Sequence, residues 1–320
     1  MKVVYLFQPP QIGLDILSKE GINYVVYRGE RQQLADWLRR EATDAGVIVA
    51  SPRDSVDKGV LDIARGVKLI IVNGSGVDKV DLNEATKRNI CVANAPDSIA
   101  ESVADHIIAL ILAHYRNIVR GDRYVREGKW TGGPPFLCHS LKGKQVGIVG
   151  MGRIGSALVR RLKPFEPKVV YWDRKTKVEV EHGLSVMWMD LDELLETSDV
   201  IAITLALTQE TRGLINRERI YKLKSGTLLV NTSRGAIVDE EALIERLIKG
   251  EIYAALDVFT QEPLPSTSPL ISLKEAILTP HIGGVSIEAA VQTSQYVSEI
   301  IVNYVKKNKL PKTLVNTCTP

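Results

Sequence analysis

Cysteine is scarce, with three in 320 residues at positions 91, 138 and 318. The number is odd and the spacings lack the close pairing of metal ligands. The sequence therefore offers no disulfide framework and no zinc or other metal site, and Cys91, Cys138 and Cys318 each read as a packing residue or a free thiol. Charge of one sign is also missing: 41 basic against 38 acidic residues leave a net +3. Aromatics make up 6% and no basic run is interleaved with them, so nucleic acid is not expected as a partner. Long hydrophobic runs are absent too. The opening MKVVYLFQPP holds one short apolar run that ends at Pro9, too brief for the core of a signal peptide, and no later stretch approaches a membrane span. No membrane association and a cytoplasmic location are the expectations. Repeats and low-complexity segments are not found.

What is present is the composition of a soluble globular protein, 45% hydrophobic and 25% charged, on a chain long enough for two domains. Short apolar runs of strand type stand at Val3–Phe7, Tyr24–Tyr27, Val47–Ala50, Leu69–Val72 and Ile90–Ala93. Helix-like segments with charges on one face lie between them, at Ile12–Lys19, Arg31–Glu41, Lys58–Ala64 and Leu82–Lys87. This alternation predicts a parallel sheet covered by helices on both sides. Asn73-Gly74-Ser75-Gly76 follows the fourth strand, at the carboxyl end where open α/β sheets place ligands, and its free N–H groups suit a small anion or an ordinary turn. A longer apolar helix, from Ser98 or Glu101 to Arg116, and an irregular crossing at Gly128–Leu141, with Gly132, Gly133, Pro134 and Pro135, connect to the second half.

There Gln145–Val149, rich in β-branched residues, runs directly into Gly150-Met151-Gly152-Arg153-Ile154-Gly155, the G-x-G-x-x-G pattern of a dinucleotide site. Gly150 permits the tight turn, Gly152 lets a pyrophosphate approach the backbone, and Gly155 lets the following helix pack on the sheet. Asp173 closes the second strand, Lys168–Trp172, eighteen residues after Gly155 (173 minus 155), where a ribose-binding acid is expected. A carboxylate there favours NAD over NADP, although Arg174 and Lys175 could attract a 2′-phosphate. Alternation then resumes through Asp192–Glu196, Val200–Thr204, Thr227–Asn231, Glu240–Ile248, Tyr253–Asp257 and Ala276–Thr279, with Asp239 placed to cap the helix at Glu240. A long amphipathic helix, Ser286–Val305, follows and is expected to return to the first domain.

Three polar clusters end strands in this half: Asn231-Thr232-Ser233-Arg234-Gly235, Asp257 to Pro263, and Thr279-Pro280-His281-Ile282-Gly283-Gly284. They contain what hydride chemistry on a hydroxy acid needs. Arg234 is a planar donor for a carboxylate. His281 can carry the hydroxyl proton, and Glu262 can fix its tautomer and favour its imidazolium. Spacing alone does not assemble these three into one site.

Taken together, the glycine motif, the Arg234 cluster, Leu256-Asp257-Val258-Phe259 with Glu262-Pro263, and the His281 cluster resemble the D-isomer-specific 2-hydroxyacid dehydrogenase family, and Asn73–Asp81 resembles its substrate loop. The resemblance spans nearly the whole chain. It implies an α/β fold of two Rossmann-like domains, one flavodoxin-like and one dinucleotide-binding, with a cleft between them. Residues 1–98 and 289–320 would form the substrate-binding domain and 99–288 the NAD-binding domain, usually of a homodimer. It implies Arg234, Glu262 and His281 as catalytic residues, and Ser75 and Gly76, with Arg234 and His281, as the substrate site. Gly150, Gly152, Arg153, Ile154, Gly155, Asp173, Thr208, Thr232, Asp257 and Gly283 would hold the cofactor, Asp257 through the nicotinamide carboxamide.

Some positions depart from the family pattern. Ala206-Leu207-Thr208 replaces Pro-Leu-Thr, Asp105 precedes His106 where glutamate is usual, and the Arg234–Glu262 segment is one residue shorter near Ile252-Tyr253. Glutamate rather than glutamine at position 262 disfavours a formate dehydrogenase. The expected activity is an NAD-dependent 2-oxoacid reductase of the glyoxylate or hydroxypyruvate type. D-3-phosphoglycerate dehydrogenase is the alternative, with Ala50 where a phosphate-binding arginine is sought and Arg53 nearby. With no regulatory domain after Pro320, a serine-responsive form is not expected. A non-catalytic, NAD-sensing corepressor is the reading from another class.

Overall fold

Ala45–Ala50 is a six-residue run with no polar side chain, and every one of its residues is buried. A strand hidden on both faces needs helices on both faces, and that requirement organises the first half of the computed structural model, which describes residues 1–30, 33–133 and 135–319. Arg31, where the sequence predicts a helix to begin, and Pro134 of the predicted crossing lie outside the described residues. One unit comprises Met1–Ile99 and Val285–Pro320, the other Ala100–Gly284.

The first unit has five parallel strands, β1 (Lys2–Tyr5), β2 (Tyr24–Val26), β3 (Ala45–Ala50), β4 (Leu69–Val72) and β5 (Cys91–Asn94), in the order β2-β1-β3-β4-β5. Alternate side chains divide between two cores. Val3, Tyr5, Val47, Val49, Leu69 and Ile71 face α1 (Gln11–Lys19) and the C-terminal α12 (Ile287–Lys307). Val4, Ile48, Ala50, Ile70 and Val72 face the side covered by α2 (Leu34–Glu41), α3 (Lys58–Ile63) and α4 (Leu82–Lys87). Helices α1 and α12 touch closely because position 13 is glycine. A Cβ there would lie 2.2 Å from Ser294 Oγ, while Ser298 Oγ donates to Gly13 O at 2.9 Å.

After α12 the chain runs antiparallel to the outer edge of β5. Val315 N donates to Val92 O at 2.9 Å, Val92 N donates to Asn316 Oδ1 at 2.8 Å, and Thr313 Oγ1 donates to Asn94 O. This covers an otherwise open strand edge. It also overturns the expectation that no disulfide forms: Cys91 and Cys318 are bonded across 227 positions of sequence. Their pairing depends on the register of the tail against β5, about which the spacing of cysteines carries no information. Cys138 is a free, exposed thiol.

The second unit has seven parallel strands, β6 (Gln145–Val149), β7 (Lys168–Trp172), β8 (Met187–Trp188), β9 (Val200–Ile203), β10 (Leu228–Asn231), β11 (Tyr253–Leu256) and β12 (Ala276–Leu278), ordered β12-β11-β10-β9-β6-β7-β8. Strand order reverses beside β6, so the carboxyl ends of β6 and β9 flank the crevice where such sheets take ligands. The helices are α5 (Ala100–Tyr115), α6 (Ile118–Arg126), α7 (Arg153–Leu162), α8 (Val178–Leu184), α9 (Leu191–Thr197), α10 (Arg217–Lys222) and α11 (Glu240–Ile248). Asp239 caps α11 by accepting Ala242 N at 2.9 Å. Among the described residues no helix is long and apolar enough to cross a membrane.

A cross-link closing so long a loop restricts the unfolded chain by roughly 5 kcal/mol on the loop-entropy scale. Cys318→Ser is therefore expected to lower the thermal midpoint by several degrees, with a thiol reductant doing the same to the wild type. An unchanged midpoint in both would show that hydrogen bonds alone hold the tail.

Candidate active site

The three glycines after β6 need their lack of a side chain for different reasons. Gly150 has φ +109°, and a Cβ there would meet Leu205. At Gly155 a Cβ would sit 2.5 Å from Gly150 O, so α7 could not approach the turn. Gly152 differs: its φ of −91° suits any residue, and a Cβ would meet nothing within 4 Å. Among the described residues no atom requires glycine there, which leaves room for a group from outside. Gly152 is also the N-cap of α7, with no side chain capping the helix and no acid in its first turn. Such an uncapped N-terminus offers N–H groups and positive potential to phosphate oxygens, and the turn fits the pyrophosphate of a dinucleotide.

Asp173, just beyond β7, is folded back over this turn. Its Oδ2 accepts Met151 N at 3.1 Å and pairs with Lys177 Nζ at 2.7 Å, and its Oδ1 accepts Arg174 N at 2.8 Å. Lys177 also donates to Met151 O at 2.7 Å. The sequence reading missed Lys177, whose place four residues beyond the acid in an irregular segment carries no recognisable pattern.

On the other side of the sheet's centre, the loops after β10, β11 and β12 gather. Gly235 packs backbone to backbone, since a Cβ there would fall 2.1 Å from the carbonyl carbon of Phe259. That approach brings the Arg234 loop against the Asp257–Glu262 loop. Asn231 shapes the Arg234 loop internally, donating from Nδ2 to Arg234 O and accepting Ser233 N through Oδ1. Thr232 Oγ1 is buried without a hydrogen-bond partner among the described residues, a polar atom suited to a bound group. Thr208, after β9, is engaged in its own turn, with its N–H donated to Thr211 Oγ1 and its hydroxyl to Glu210.

Glu262 Oε2 lies 2.7 Å from His281 Nδ1, and Glu262 Oε1 accepts Phe259 N at 3.1 Å. The shortened segment before Glu262 thus still delivers it to the histidine. Burial acts to raise the Glu262 carboxyl, but the hydrogen bonds from His281 and Phe259 N and the charges of His281 and Arg234 outweigh it, so the group titrates below its ordinary value. Side-chain exposures of 35% for Glu262 and 29% for His281 leave the pair within reach of a ligand.

Asp257 is 1% exposed and heavily bonded. Its Oδ1 accepts Thr279 Oγ1 at 2.6 Å and Ile282 N at 2.9 Å, its Oδ2 accepts Gly283 N at 2.7 Å, and His106 Nε2 stands 3.5 Å from Oδ1. Burial pushes this carboxyl up. The donors from His106, Thr279, Ile282 and Gly283 pull it further down, leaving it ionised. Gly283 is thus a partner of Asp257, and its N–H is spent within the protein. His281 lies at the start of the clamped segment, with φ +56°.

Ser75 and Gly76 belong to the first unit, at the carboxyl end of β4. Asn94 Nδ2 donates to Ser75 O at 2.7 Å and Ala95 N to Gly74 O at 2.8 Å, so the end of β5 shapes this loop. Asn73 Oδ1 is buried there without a hydrogen-bond partner among the described residues.

Residues 108–283 match the model of the NAD binding domain of D-isomer specific 2-hydroxyacid dehydrogenases. A glyoxylate reductase of Thermofilum pendens is 40% identical over 318 residues, covering 96% of this chain and 92% of that protein. A D-3-phosphoglycerate dehydrogenase of Archaeoglobus fulgidus is 38% identical over 308 residues, covering 96% of this chain but 58% of that longer protein. A crystal structure of a protein from Thermus thermophilus superimposes with a TM-score of 0.89 at 37% identity, covering 98% of this chain and 100% of the other. The strand-end clusters and these similarities agree, and the chain belongs to the D-isomer-specific 2-hydroxyacid dehydrogenases, NAD-dependent oxidoreductases acting on the CH–OH group.

Proposed function

We propose that the protein reduces small 2-oxoacids of the glyoxylate or hydroxypyruvate type with NADH. The observation that carries this reading is the 2.7 Å pair of Glu262 and His281 beside the charge of Arg234. The bound nicotinamide supplies the hydride. Arg234 holds the substrate carboxylate through its guanidinium fork. Glu262 occupies Nδ1 of His281, so Nε2 is the atom that gives a proton to the carbonyl oxygen on reduction and takes it back on oxidation. Ala50, in the position sought for a phosphate anchor, is fully buried in the β3 core, which weighs against a phosphorylated substrate.

The test is NADH oxidation against glyoxylate, hydroxypyruvate, pyruvate and 3-phosphohydroxypyruvate, with wild type and His281→Ala. A preference for a small oxoacid is expected, with kcat lowered by about two to four orders of magnitude in the variant and NADH binding retained. Preference for the phosphorylated compound would move the function to phosphoglycerate chemistry. Silence with every substrate alongside tight NADH binding would favour the sensor reading.

Cofactor choice rests on Asp173 and the cations around it. Replacing Asp173 by Ser removes the ribose acceptor and the repulsion of a 2′-phosphate, and releases Lys177 toward that phosphate. The NADH over NADPH preference in kcat/KM should narrow by about ten- to a hundredfold. An unaltered ratio would mean that Asp173 does not read the ribose.

A homodimer formed through the second unit is proposed on its exposed apolar side chains, Ile118, Val119 and Val125 of α6 with Trp130 and Leu137 after it. Light scattering should return twice the chain mass, and Leu137→Asp with Val125→Asp should halve it. A monomeric wild type at micromolar concentration would refute the proposal.

A further inference from the structure

His106, on α5, takes no part in the reaction proposed above, yet it stands directly behind the segment that carries His281. Its Nε2 lies 3.1 Å from Thr279 Oγ1 and 3.5 Å from Asp257 Oδ1. The ring edge is close-packed on the same segment, with Cδ2 3.4 Å from the point a Cβ on Gly283 would occupy.

Hydrogen-bond bookkeeping fixes the direction of this chain. The Thr279 hydroxyl has one proton, and it goes to Asp257 Oδ1 at 2.6 Å, an ionised oxygen that can only accept. The oxygen of Thr279 must then accept from His106, so the ring carries its proton on Nε2. Asp257 uses its two oxygens to hold Ile282 N and Gly283 N, the peptide groups that follow His281. Two successive N–H groups converging on one carboxylate define the path of that backbone. His281 enters it in the left-handed region, which a non-glycine residue keeps only when its surroundings impose it.

We propose that His106 is a positioning residue: as an Nε2–H donor to Thr279 and Asp257 it orients the Asp257 carboxylate that clamps residues 281–283, and through that clamp it sets His281 against Glu262. It does not touch substrate. The inference rests on the reading of His281 as proton carrier only for its effect on turnover, because the clamp itself is observable without activity.

The experiment compares His106→Leu, which keeps the bulk and removes the donor, with His106→Gln, whose Nε2 can still donate. Hydrogen exchange by mass spectrometry over peptides spanning 279–284 reads the clamp. In the Leu variant this segment should exchange about tenfold faster, with the thermal midpoint within a few degrees of wild type. For the 2-oxoacid turned over best, kcat should fall about ten- to a hundredfold while KM stays within about threefold, since Arg234 is untouched. The Gln variant should recover most of both. Wild-type exchange in the Leu variant, or a Gln variant as impaired as Leu, would overturn the proposal. Should the Leu variant misfold, Thr279→Val against Thr279→Ser poses the same question at the bridging hydroxyl. A wild type that turns over no oxoacid would defeat the enzymatic reading, and the exchange arm would still decide the clamp.

Discussion

A carboxylate with 1% exposure has to be answered by donors, and the way Asp257 is answered shapes the candidate site. Unpaired, such a charge would cost several kcal/mol in a protein interior. Here two peptide N–H groups, one hydroxyl and a nearby imidazole converge on it, and bonds to an ionised acceptor contribute about 1.5–3 kcal/mol each. The left-handed backbone of His281 costs about 1–2 kcal/mol. The balance favours the clamped loop, so the orientation of the histidine follows from the solvation needs of a neighbouring charge. Preorganisation of this kind is what the proposed proton transfer at His281 would require, because time spent in other orientations subtracts directly from rate.

The same economy of backbone runs through the rest of the second unit. Parallel strands deliver the ends of β6, β7, β10, β11 and β12 to one edge, but strand ends alone would leave their loops apart. Glycine closes the gaps. At position 235 it admits a neighbouring peptide to 2.1 Å of where a Cβ would be, and at position 155 it lets α7 sit on the turn after β6. A larger residue at either place would force the neighbouring backbone to shift. Fold and chemistry are therefore coupled through close backbone contact, with apolar burial supplying the scaffold on which those contacts are made.

How much of this could be read beforehand varies with the kind of signal. The central strands β3, β4, β9 and β10 stand out as short apolar runs because both faces are buried, and Asp239 shows itself as a cap by preceding two glutamates and an apolar stripe. By contrast, α6 and α8 bury no residue, so no core contact announces them, and β8 is two residues long. The site was legible where chemistry forces a residue type into a fixed local pattern, as in the glycine turn. It was legible as parts in the three polar clusters, but their assembly depends on strand order, which no spacing encodes. Lys177, His106 and the Cys91–Cys318 bond were not legible either, the first because its short segment carries no pattern and the other two because their partners are distant in sequence. Each acts on a partner brought near by the fold, across 4, 151 and 227 positions respectively (177 minus 173, 257 minus 106, 318 minus 91).

Gly152 and Thr232 carry the inference one step beyond the protein's own contacts. Most glycines and buried hydroxyls in a fold are explained by an atom of the same chain: a clash avoided or a hydrogen bond made. Around Gly152 there is open space within 4 Å of an added Cβ, and around Thr232 Oγ1 there is burial without a partner among the described residues. Both features carry a cost in an isolated chain, the first in backbone entropy and the second in desolvation. Both costs are offset if something outside the chain occupies the space. That the two positions lie on the carboxyl edge of one parallel sheet, after strands on either side of its reversal point, matches the demands of a dinucleotide, which needs a phosphate cradle at one end and a polar pocket at the other.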